Sequence, residues 1–213
     1  MAIIPARILS APTVTYENKA FSPNSGLWNL VDVKLTSSGA VTSWAVLTIG
    51  SGVAAREDPI DSYFASAVDD FRMKCAEIGL EIGPCINELR CAIQLNRDSS
   101  LTDLHPVRHR LSQMAGKVTF VLVILNFYHE NIYSEIKYLG DAQYGVITAC
   151  VNSRKMSRGN PYYISNVALK LNLKLGGTNH AIQNDCLGSL RSGRKMIVSY
   201  SAFSRAAFEI KRV

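Results

Sequence analysis

Phe120-Val121-Leu122-Val123-Ile124-Leu125 is an apolar run without alternation, the pattern of a strand covered on both faces in a parallel sheet. Polar residues 126–131 break it. Ile132, Ile136 and Leu139 then recur at helical spacing, predicting a short helix whose other face carries Tyr133 and Lys137, four residues apart. A second strand-like run covers residues 144–151 and leads through a basic loop into another helix. There Ile164, Ala168, Leu171 and Leu175 form the buried stripe, Lys170 and Lys174 again stand four apart, and Gly176-Gly177 closes the element.

Upstream the same grammar repeats. Trp44 to Ile49 reads as a strand, Asp58-Pro59 marks a helix start, and Phe64, Val68, Phe71, Cys75 and Ile78 give a helix from about Asp61 to Ile78. Gly79 and Gly83-Pro84 end it, a short strand is expected around Cys91 to Leu95, and Leu104, Val107, Leu111 and Met114 predict a helix with Pro106 in its first turn. Alternating strands and helices imply an α/β fold: a Rossmann-like, doubly wound, mainly parallel sheet with helices on both faces. In such sheets the ligand crevice lies beyond the carboxyl ends of the strands, which puts residues 126–131 at its rim. Residues 1–40, with Pro5, Pro12, Pro23 and a lone Trp28, read as an arm anchored by Leu27 and Trp28. The domain proper is expected over residues 41–190. Residues 191–213 start like a strand at Met196-Ile197-Val198 and then lose any pattern.

Hydrophobic residues make up 47% of the 213 and charged residues 19%, ordinary for a globular domain. No apolar run approaches the roughly 20 residues of a membrane span, and no signal-peptide layout opens the chain, so a cytoplasmic location is expected. The five cysteines have no CxxC pair or ligand-like distance to a histidine, so no metal and no cofactor is expected. Residues 1–136 hold 11 Lys/Arg against 14 Asp/Glu, whereas residues 137–213 hold 12 against 3. That asymmetry points to an anionic partner for the C-terminal half, nucleic acid first, although a solvated basic face would count the same.

If the two lysine-bearing helices are neighbours, Tyr133, Lys137, Lys170 and Lys174 surround one pocket. A terminal phosphate carries nearly two charges at neutral pH, and converging ammoniums prefer it over a singly charged internal diester. Backbone N–H groups near Ile132 would add donors, and the Tyr133 ring offers a stacking platform for a base. No GxGxxG or GxxxxGK[ST] string follows a strand, which weighs against a nucleotide-cofactor enzyme. A protein-interaction module with a vestigial pocket is the other alternative.

Tyr133-Ser134-Glu135-Ile136-Lys137 with Gly140-Asp141, and the string from Ser165-Asn166-Val167-Ala168-Leu169-Lys170 through Lys174-Leu175-Gly176-Gly177-Thr178-Asn179, resemble the MID domain of eukaryotic Argonaute proteins. Ala6-Arg7-Ile8-Leu9, Pro12, Tyr16 and Gly26-Leu27-Trp28-Asn29 are similar to the linker before MID, and the chain resembles a filamentous-fungal, quelling-type member. The resemblance implies a Rossmann-like domain that anchors the 5′-phosphate of a guide small RNA in RNA silencing, with silencing-complex proteins and the PIWI domain as further partners and no membrane. It assigns phosphate contacts to Tyr133, Lys137, Lys170 and Lys174, and stacking on the first base to Tyr133. Phe127, Tyr128, His129, Glu130 and Asn131 correspond to the loop that senses that base, in a sequence unlike the family's Gly-Lys-Thr-Pro type. A glutamine that usually precedes the cysteine matching Cys150 is replaced by Ala149, leaving Thr148 or Asn152 as substitute phosphate donors. Arg194-Lys195-Met196-Ile197-Val198 is similar to the entry strand of PIWI, but the family's first catalytic aspartate does not follow. The resemblance thus implies a binding domain without catalytic residues, cleavage belonging to a PIWI domain expected to lie outside this chain.

Overall fold

The computed structural model describes residues 11–23, 28, 30–51, 62–93, 104–126 and 130–194. Asp58-Pro59, Leu27, Leu95, residues 127–129 of the expected base-sensing loop and the expected strand at 196–198 lie outside them, as do the side chains of Phe64 and Glu130.

Four parallel strands form the central sheet: β4 (Trp44–Ser51), β6 (Cys85–Ile93), β7 (Phe120–Leu125) and β8 (Ile147–Asn152), in the order β6-β4-β7-β8. All six residues of β7 are buried, as its unbroken apolar run requires, because β7 is central and covered on both faces. Alternate residues feed two cores. Trp44, Val46, Phe120, Leu122 and Ile124 pack with α1 (Ser62–Glu77), α4 (Ser153–Ser157) and α5 (Pro161–Lys174). Ala45, Leu47, Val121 and Val123 pack with α2 (His105–Met114) and α3 (Glu130–Lys137) on the opposite face. Helices therefore cover both faces of a parallel sheet, and the architecture is Rossmann-like α/β.

Several local readings are refined. The strand expected near Cys91 begins at Cys85. As a sheet edge, β6 leaves Ile86, Asn87 and Glu88 exposed, so its first half lacks the apolar pattern of a strand. The helix after β7 continues from α3 into a π-helical turn, Tyr138–Tyr144, closed by Gly145 in the left-handed region at φ 63°. Of the arm, Val14–Thr15 (β1) pairs with Ala181–Ile182 (β9), and the Trp28 indole donates to the Tyr16 hydroxyl at 3.0 Å against the His180 ring. Burial pushes the Cys75 thiol up to about 12 and that of Cys91 to about 11, so both are inert packing groups.

Candidate nucleic-acid interface

Ile132, Ile136 and Leu139 are buried beneath α3, which turns Tyr133 (43% exposed) outward and carries Lys137 as its last residue. Lys174 is likewise the last residue of α5. The Lys174 ammonium stands where a helix C-terminus favours positive charge, whereas Lys137 sits where α3 runs on into the π-helical turn. The two helices are not neighbours packed side by side. They belong to cores on opposite faces of the sheet, and their terminal lysines meet at the edge strand β8.

The meeting point is Thr148. Lys137 Nζ donates to its carbonyl oxygen at 2.8 Å and to its hydroxyl at 2.9 Å, and Lys174 Nζ donates to the same carbonyl at 3.0 Å. Sharing one acceptor holds the ammoniums no more than about 6 Å apart, where two unit charges near a protein surface repel by roughly 3 kcal/mol. Such a pair is primed for an anion. Lys137 also lies 5.6 Å from the centroid of the Tyr133 ring. Burial depresses the Lys137 pKa below the usual lysine range, Lys174 adding to the effect while Asp141 opposes it. Burial also pushes the adjacent Cys150 thiol up, with the two lysines pulling it back.

The remaining site residues divide. Lys170 is exposed and has no hydrogen bond or ion pair among the described residues, so two ammoniums converge where three were expected. Thr148 is completely buried beneath the lysines and acts as their seat; its hydroxyl is not presented to solvent as a phosphate donor. The Asn152 side chain accepts from the Lys155 N–H as the cap of α4, which occupies the other proposed substitute. Asn131 is exposed in the first turn of α3, and Glu130 opens that helix. At 1.5 Å per residue, the start of α3 lies about 10 Å along the axis from the backbone of Lys137. The pair also sits at the second residue of β8, not beyond the carboxyl ends of the strands. Lys174 lines a neighbouring cleft of about 570 Å³ that includes Lys117, Tyr144 and Ile147.

Three supporting features escaped the sequence reading. Gly140 packs so closely on Thr148 that a Cβ there would lie 2.6 Å from Thr148 Cγ2. Asn172, fully buried, accepts from the Gly39 N–H at 2.9 Å and donates to the Asn179 side chain at 2.9 Å, tying the end of α5 to the chain before β4. Asp141 lies 3.9 Å from Lys174. Their one visible signal was membership of the two quoted strings, Gly140 and Asp141 in the first and Asn172 and Asn179 in the second.

Fold and site together define a Rossmann-like α/β domain with a basic clamp on its sheet edge. The Piwi domain family matches residues 119–198. Protein argonaute 12 of Oryza sativa subsp. japonica is 24% identical over 193 residues, covering 86% of this chain and 18% of the relative. The C-terminal lobe of a budding yeast Argonaute superposes with a TM-score of 0.68 at 22% identity, covering 86% of this chain and 40% of the other. The Arabidopsis thaliana AGO5 MID domain superposes with 0.54 at 24% identity, covering 70% of this chain and 99% of that domain. The chain is similar to Argonaute proteins over more than four fifths of its length and shares the fold of their MID domain, and it spans about a fifth of the length of the curated relatives it matches. One expectation is corrected by the Piwi match. Piwi-family sequence is not absent from the chain or confined to residues 191–213; it begins just before β7 and takes in α3, β8 and α5.

Proposed function

We propose that this domain anchors the 5′-phosphorylated end of a guide small RNA, as part of an Argonaute acting in RNA silencing. The observation that carries this reading is the convergence of Lys137 and Lys174 on the Thr148 carbonyl, with the exposed Tyr133 ring alongside. A phosphate dianion placed against both ammoniums relieves their repulsion and gains charge-assisted hydrogen bonds. Tyr133 then stacks on the first base, a contact worth roughly 1–3 kcal/mol. Lys170, on the same face of α5 as Lys174, adds longer-range attraction from solvent. The chain's part in this reading is binding, since the resemblance puts the cutting of RNA in acidic, metal-holding residues.

The test is a competition for a labelled 5′-phosphorylated oligoribonucleotide by the same oligomer with a free 5′-hydroxyl, and by NAD and ATP. The phosphorylated competitor should displace it best. Equal displacement by the hydroxyl form refutes phosphate anchoring, and stronger displacement by NAD or ATP supports a nucleotide-cofactor site instead.

A further inference from the structure

Among the described residues, one carboxylate is ion-paired with the lysine clamp. Asp141 sits on the π-helical turn Tyr138–Tyr144, the residue after Gly140, and its Oδ1 lies 3.9 Å from Lys174 Nζ. Its side chain is 55% exposed, so no burial requirement fixes it there. What fixes it is the turn. Gly140 has no Cβ and so packs directly on Thr148, where a side chain would meet Thr148 Cγ2 at 2.6 Å and the Val146 carbonyl at 2.9 Å. This close approach brings the next residue to the mouth of the clamp. Lys137 is served differently, by the Thr148 carbonyl and hydroxyl. Among the described residues, Lys174 donates to the shared carbonyl alone and has Asp141 as its ion-pair partner.

We propose that Asp141 is a resident counter-ion of the anion clamp, which an incoming phosphate must displace from Lys174, so that it lowers affinity and sharpens the requirement for a strongly held ligand. This rests on the phosphate-anchoring reading above. Two effects add. The Lys174–Asp141 pair must open, and the carboxylate repels the phosphate while it stays near. A partly exposed pair contributes little to fold stability, so losing the carboxylate leaves the domain intact. The repulsion scales with ligand charge, so a 5′-phosphate senses Asp141 far more than a 5′-hydroxyl end does.

The experiment measures dissociation constants of the wild type, Asp141→Asn and Asp141→Glu for an oligoribonucleotide with either a 5′-phosphate or a 5′-hydroxyl, at low and high salt. Asp141→Asn should bind the phosphorylated oligomer about threefold to tenfold more tightly and the hydroxyl form within about twofold of wild type. That gain should shrink as salt rises, and Asp141→Glu should restore wild-type behaviour. Unchanged or weaker binding of the phosphorylated oligomer by Asp141→Asn overturns the inference while a wild-type preference for phosphate leaves the anchoring reading standing. Equal binding of the two oligomers by wild type overturns that reading, and the inference with it.

Discussion

Replacing Lys137 with methionine removes one ammonium while keeping most of the stem. In the structure that ammonium makes two hydrogen bonds to Thr148 and flanks the Tyr133 ring. A unit charge 4 Å from another is worth roughly 1 kcal/mol in water and roughly 4 near a protein surface, and a hydrogen bond to a charged group contributes about 1.5–3. Lys137 is already half-buried and partly desolvated before any ligand arrives. Little further desolvation then opposes the gain, and a loss of about 2–3 kcal/mol on truncation follows, or about 30- to 150-fold in affinity. The change should fall on the phosphorylated oligomer alone, read by fluorescence anisotropy against the 5′-hydroxyl form. The Thr148 hydroxyl loses its partner in a fully buried position, a cost of about 1–3 kcal/mol offset by no longer burying a charge. Denaturant titration confirms that the variant is folded. A folded Lys137→Met variant that loses less than about threefold and still prefers the phosphorylated oligomer would refute the placement of phosphate at this clamp.

Lys170→Ala should weaken phosphorylated-oligomer binding by less than about threefold and Lys174→Ala by about tenfold or more, because of these two lysines Lys174 alone reaches the Thr148 carbonyl; the reverse ranking places the ligand along α5 instead. Burial lowers the Lys137 pKa, so its charge is lost, and affinity falls, as pH rises through a value below the ordinary 10.5. Between those two values the folded chain binds fewer protons than the unfolded one, so this group's contribution to stability rises with pH there; the wild-type affinity profile, compared with that of Lys137→Met, checks the first part and urea unfolding the second. Gly140→Ala should cost about 1–3 kcal/mol in urea unfolding, since its Cβ would meet Thr148 and the Val146 carbonyl. Asn172→Ala strands the Gly39 N–H and the Asn179 carboxamide oxygen and should destabilise by about 2–4 kcal/mol in the same assay.

Periodicity reveals how a residue is turned about its own element. Ile132, Ile136 and Leu139 were therefore legible as a buried stripe, and Tyr133 as its exposed complement. Periodicity is silent on which face of the sheet an element occupies. The opposite-face placement of α3 and α5 was hidden for that reason, and with it the role of Thr148 as the seat between them. The π-helical turn left no signal because seven residues with Gly140 among them fit neither a helical nor a strand repeat. The resemblance in the Lys170–Asn179 string pointed to the right helix end, but Lys170 and Lys174 look equivalent there. Only the reach to a sheet-edge carbonyl separates them.

That reach has a thermodynamic consequence. Lys137 belongs to a helix docked in the core of one face and Lys174 to a helix docked in the other, so the clamp exists only while both cores hold their helices against β8. Without a ligand, the paired ammoniums work against that docking by roughly 3 kcal/mol of repulsion, which the Thr148 carbonyl and Asp141 offset in part. A phosphate between them reverses the sign of the term. Binding therefore stabilises the packing of both faces at once, by an amount set by ligand concentration over its dissociation constant. Loosening either core, even far from the lysines, must weaken the grip on the phosphate, because the distance between the two charges is held by the whole thickness of the sheet and not by either helix.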